Sequence, residues 1–124
     1  MMNRIRPYIP TVLFMLVILA LSVKRVPAEL YPFWNVDKLY HVIFYALLGL
    51  LWARTLARTR KVERRTFIGP VLLITFVYGA SMEVVQYFLP ERSASVPDAM
   101  ADGLGGFIGA VVYERFLWIR RRVY

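Results

Sequence analysis

The sequence predicts an all-α integral membrane protein, a four-helix bundle packed up-down-up-down as one domain over residues 1–124. Three observations predict it. Of 124 residues, 59% are apolar, above the roughly 45–50% usual in soluble domains. The apolar residues gather into four runs, and a helix needs about 17–25 residues to cross a bilayer core of about 30 Å. None of the runs alternates apolar and polar with period two, which argues against strands. Four segments cannot close a barrel, so helices are left as the way to satisfy a backbone in lipid.

The first helix is expected over residues 7–24, where 17 uncharged residues lie between Arg6 and Lys24. Arg4 and Arg6 before it and Val26-Pro27-Ala28 after it resemble a secretion signal. The run is longer than the usual signal core of about 7–15 residues, so it reads as a span. The second helix, 36–57, carries only Asp37, Lys38 and Arg54. The third, 66–89, has Glu83 as its one charge in 24 residues. The fourth, 97–118, has Asp98 and Asp102 in its first turns and no further charge up to Tyr113. Tyr31, Phe33 and Trp34 precede the second helix, and Trp118 and Tyr124 close the chain. Amphipathic rings collect at membrane interfaces, so these are expected to be belts.

The formal net charge is +8, from 16 Lys and Arg against 8 Asp and Glu. Such a balance alone points to nucleic acid, but its distribution points elsewhere. The N-terminus, the 54–65 segment and the tail hold twelve of the basic residues against Glu63 and Glu114. The opposite ends hold Lys24, Arg25, Lys38 and Arg92 against six acids. The positive-inside rule puts both termini and the middle loop in the cytoplasm. The arginines then flank helix ends, where headgroups attract them at about 1 kcal/mol each. No nucleic-acid partner is expected; the partner is the bilayer. With no cysteine there is no disulfide scaffold.

The acids carry the functional signal, because a charge at the bilayer centre costs about 2.5–3.5 kcal/mol on insertion scales. Asp37 and His41 are four residues apart on one helix face, continued by Tyr45. Glu83 and Gln86 share a face of the third helix, and Asp98 and Asp102 one of the fourth. All six lie at the same end of their helices, with Arg92 in the loop nearby. Three helices thus aim polar groups at one depth, and a pocket facing the extracytoplasmic side follows. Asp98 suits a helix N-terminus, but Glu83 sits at a C-terminal end that disfavours acids. It needs a partner such as Arg92, Lys38 or protonated His41. The fourth helix also carries Gly105 and Gly109 as a GxxxG pair, with Gly106 and Ala110 as a second small pair. Such faces let backbones approach closely, within the chain or between copies in a homo-oligomer.

These residues form an ordered set. Asp37-Lys38-Leu39-Tyr40-His41, then Glu83-Val84-Val85-Gln86, then Pro90-Glu91-Arg92-Ser93, then Asp98 through Gly105 with Gly109 resemble the DKxxH, ExxQ, proline-arginine and DxxxN-x-x-G segments of the VanZ-like family. The resemblance spans residues 37–109, with Asp102 standing where the family usually has Asn. It implies a small bacterial cell-envelope membrane protein. The family's name-giving member is associated with teicoplanin-type glycopeptide resistance.

Three functions compete. A binding module would use Asp37, Lys38, His41, Tyr45, Glu83, Gln86, Arg92, Asp98 and Asp102 to hold a lipid-linked cell-wall precursor or a glycopeptide antibiotic. Arg92 and Lys38 would pair with phosphate or carboxylate. An intramembrane enzyme would use His41, Glu83 and Asp98 as catalytic groups, the first two as candidate bases. No cofactor is evident, although one His among carboxylates is a donor set for a divalent metal. No HExxH or GxSxG pattern accompanies it, so Ser81, Ser93 and Ser95 are weak nucleophile candidates. A purely architectural network is the third reading. Interhelical polar bonds average only about 0.6 kcal/mol in one membrane protein, which is small against the insertion cost. A transporter is disfavoured, since no inverted repeat is present.

Overall fold

A computed structural model describes residues 2–24, 36–59, 67–89 and 95–123. The interface aromatics Tyr31, Phe33, Trp34 and Tyr124 lie outside the described residues, as do Arg92, Ser93, the segment at 26–28 and the charges at 60–65. Among the described residues the chain is all-helical, in four helices. We number them α1 (Met2–Val23), α2 (Val36–Thr59), α3 (Ile68–Tyr87) and α4 (Val96–Val123).

α1 starts five residues before the expected boundary. It passes Pro7 through a 3₁₀ turn at Arg6–Tyr8 and resumes as α-helix from Ile9, with Pro10 in the first turn of that segment. Proline has no N–H to donate, and first turns are where that loss is harmless. α4 continues to Val123 because its arginine-rich end is made of good helix formers that also complement the C-terminal dipole. There Arg122 lies 4.0 Å over the Trp118 ring, a cation–π contact.

α1, α2 and α3 are each long and apolar enough to cross a membrane. The expected fourth span is less apolar. α4 opens with Asp98 and Asp102 and turns basic from Arg115, so its charge-free stretch is only 103–113. It lies among its neighbours: Asp98, Asp102, Gly103, Gly105, Gly106, Gly109 and Ala110 are all buried.

α2 and α4 touch through their backbones. A Cβ at Gly105 would stand 2.5 Å from the Val42 carbonyl oxygen, and one at Gly109 would overlap that of Ala46. A Cβ at Gly106 would collide with Thr75 Oγ1 of α3. The two small pairs thus bring α4 against two different helices, an internal use of the packing they permit. Beyond them Ala53, Leu56, Phe67, Val71 and Ala110 form one apolar core, and Ile18, Tyr45, Leu48 and Met82 form another.

α1 leaves Val12, Leu13, Leu16 and Val17 exposed, an apolar flank suited to lipid. It is tied to the bundle by the Phe14–Phe44 stack at 6.1 Å and by polar bonds. Thr11 and Thr55, both fully buried, share a hydrogen bond of 2.8 Å. Thr11 also donates to the Leu51 carbonyl, and Thr55 reaches the carbonyls of Pro7 and Leu51. The Tyr78 hydroxyl donates to the Met15 carbonyl at 2.5 Å.

Candidate functional site

The polar residues of the three sequence segments meet at the start of α2, the end of α3 and the start of α4. His41 Nδ1 lies 2.7 Å from Asp102 Oδ1. Its Nε2 is 4.0 Å from Asp98 Oδ2, and Lys38 Nζ is 3.5 Å from Asp98 Oδ1. Glu83 completes the group from α3: ligand atoms of His41, Glu83 and Asp102 all lie within 4.8 Å of one another. Asp102 is 0% exposed and Glu83 6%.

Local structure explains each placement. Ser95 precedes α4, and its hydroxyl accepts the Asp98 N–H at 3.4 Å, a helix N-cap. The Ser95 N–H in turn donates to Glu83 Oε2 at 2.7 Å. A backbone amide therefore supplies part of the partnership that Glu83 needs. Asp102 sits one turn beyond Asp98 in α4, against Gly79 of α3, where an added Cβ would stand 2.5 Å from Asp102 Oδ2. Glycine at that position lets the carboxylate lie against the α3 backbone. Tyr45 is 3% exposed. Its ring lies parallel to that of His41 within 12°, centroids 6.5 Å apart, and it walls one side of the group.

The group is not self-satisfied. Among the described residues, Glu83 Oε1, Asp98 Oδ1, Asp102 Oδ2 and Tyr45 Oη are buried without a hydrogen-bond partner. Buried polar atoms are nearly always paired, and an unpaired one costs about 1–3 kcal/mol, more for charged groups. Three of these atoms are carboxylate oxygens, which when ionised only accept. The arrangement can therefore take hydrogen-bond donors or a cation. The His41–Asp102 contact also orients an imidazole, as a general base requires.

The structure thus brings Lys38, His41, Tyr45, Glu83, Asp98 and Asp102 together. Gln86 turns to a different neighbour: its side-chain amide donates to the Ser22 carbonyl of α1 at 3.3 Å. The Asp37 side chain and all of Arg92 lie outside the described residues. Ser95 and Gly79 were not singled out as parts of this group by the sequence. Ser95 had a signal, since Ser-x-x-Asp ahead of an apolar run is a capping pattern. Gly79 lies four residues before Glu83, hence on its face.

No curated protein and no solved structure matches the chain. A family model described as VanZ/LLP1 matches residues 3–119. Nearly the whole chain is covered, including every residue of the buried polar group. With its membrane-spanning helices, this is a VanZ-like membrane protein, and the chain belongs to the VanZ/LLP1 family.

Proposed function

We propose that this protein sits in the bacterial cell membrane as an up-down-up-down bundle with both termini cytoplasmic. Its polar group forms an extracytoplasmic pocket that binds a lipid-linked cell-wall precursor or a glycopeptide-type antibiotic, contributing to teicoplanin resistance. The charge distribution supports the orientation. The alternation of helix direction is supported by contacts that ascend together along α2 and α4, from Val42–Gly105 to Ala46–Gly109. Those of α3 descend along α4, from Gly79–Asp102 to Thr75–Gly106.

The observation that carries the binding reading is the pair of buried oxygens, Glu83 Oε1 and Asp102 Oδ2, that have no hydrogen-bond partner among the described residues. A network kept only to fix helix register gains nothing from leaving acceptors unmet. Acceptors of this kind read ligand donors: sugar hydroxyls, ammonium groups and amide N–H groups. A second reading, an intramembrane enzyme acting on a lipid-linked envelope substrate, is favoured by the 2.7 Å His41–Asp102 contact. In it His41 is the general base, held by Asp102, with Glu83 and Asp98 as the other acid–base groups.

Detergent-purified protein titrated with teicoplanin, and separately with a polyprenyl-linked disaccharide precursor, tests this by native mass spectrometry. Glu83→Gln should remove the complex while leaving membrane insertion intact. A changed precursor mass, lost in the same variant, would select the enzyme. Glu83→Ala protein that vanishes from the membrane would select the architectural network. Since the chain has no cysteine, orientation is testable with Ser93→Cys and Tyr124→Cys. An impermeant thiol reagent added outside intact cells should label only the first.

A further inference from the structure

We infer that His41, Glu83 and Asp102 form a binding site for a divalent metal ion, of the Mn²⁺ or Zn²⁺ class. The inference deepens the binding reading and rests on it for the ligand the ion would receive. The three side chains come from three helices, with one ligand atom of each within 4.8 Å of the others. Adjacent ligands about 2.1 Å from a common metal stand about 3.0–3.4 Å apart. His41 Nδ1 and Asp102 Oδ1 share a hydrogen bond at 2.7 Å, so a metal ion takes the place of the proton between them and opens the pair to that spacing.

The buried oxygens are the independent observation. Glu83 Oε1 and Asp102 Oδ2 have no hydrogen-bond partner among the described residues, in side chains that are 6% and 0% exposed. A metal ion supplies what each lacks. Asp98, 4.0 Å from His41 Nε2, is placed either as a further ligand or to orient the imidazole, a common outer arrangement at metal sites. One imidazole with carboxylates and no thiolate selects a borderline-to-hard divalent ion and excludes soft thiophilic sites.

Charge gives the ion a purpose. A lipid-linked precursor carries phosphate, and a pocket lined by Glu83, Asp98 and Asp102 with Lys38 repels an anion. A divalent cation reverses the local sign. With three protein ligands it keeps open positions for a phosphate oxygen.

The test uses the full-length protein in detergent, stripped with chelator and titrated with ZnCl₂ or MnCl₂ alone. About one equivalent per chain is expected by calorimetry and elemental analysis, as one site requires. Glu83→Gln and His41→Ala should each weaken affinity at least 10-fold with helicity by circular dichroism unchanged. Pulsed electron paramagnetic resonance on the wild-type Mn²⁺ complex should show coupling to one imidazole nitrogen, a readout independent of how the variants fold. No uptake by the wild type, no nitrogen coupling, or undiminished uptake in folded Glu83→Gln would overturn the site. If uptake fails while teicoplanin still binds, the metal site falls and the pocket stands. If the ion binds and neither teicoplanin nor the precursor does, the metal site stands and the binding reading falls.

Discussion

Among the described residues, two of the buried polar clusters lie far apart along α2, and they are built differently. At one end Thr11 and Thr55 bond to each other and to the carbonyls of Pro7 and Leu51. Both hydroxyls are neutral, and neither is left without a partner. About 21 Å along α2, given a rise of about 1.5 Å per residue, His41 meets Asp102, Asp98 and Glu83. There the groups are ionisable, and four buried polar atoms of the site have no hydrogen-bond partner among the described residues. The first group spends all its hydrogen bonds on holding α1 to α2. The second keeps acceptor capacity in reserve. Burial alone does not distinguish the two clusters; the unmet carboxylate acceptors do.

Substitutions at the two ends should therefore move different quantities. The largest effect is expected for Glu83→Gln. It should lower teicoplanin or precursor affinity by about 100-fold, since an acceptor that reads the donors of the ligand is replaced by an amide. Folding stability should stay level or rise, because a carboxylate leaves a buried position while the amide oxygen still accepts from the Ser95 N–H. Native mass spectrometry with a denaturant titration measures both; a protein that unfolds while any residual fold still binds would break the contrast.

Gly79→Ala should come next. Its Cβ presses on the Asp102 carboxylate, so about a 10-fold loss of affinity and about 1 kcal/mol of stability are expected from overpacking. Thr55→Val should do the reverse of Glu83→Gln. Stability should fall by about 1 kcal/mol as interhelical bonds are lost, with ligand affinity unchanged. Ser81→Ala should be smallest, within about 0.5 kcal/mol and silent in binding. Among the described residues its exposed hydroxyl bonds only to the Val77 carbonyl of its own helix.

The extent to which the sequence disclosed this follows from what helical spacing can encode. Apolar runs located all four helices to within a few residues, and the pairing of Asp98 with Asp102 on one face followed from a spacing of four. Spacing shows which residues share a face but not which face meets which. Gln86 is an example: it shares a face with Glu83, and its amide bonds the Ser22 carbonyl of α1. The Ser95 amide that meets Glu83 was invisible for another reason: every non-proline residue carries such an N–H, and only the fold aims one. The contact of Gly106 with Thr75 likewise needed the partner helix, although the glycine alone announced that something comes close.

The composition of α4 has a consequence for how the protein is made. α1, α2 and α3 emerge from the ribosome first, and each is long and apolar enough to cross a membrane. α4 emerges last, carrying two aspartates that neither lipid nor the translocation channel accommodates cheaply. Gly105 and Gly109 meet α2, while Gly106 and Asp102 meet α3, so α4 finds its partners only once the earlier helices are made. On the proposed membrane arrangement, assembly of the pocket then accompanies the insertion of α4. A chain halted after Tyr87 could be a stable resident of the membrane and still have no site.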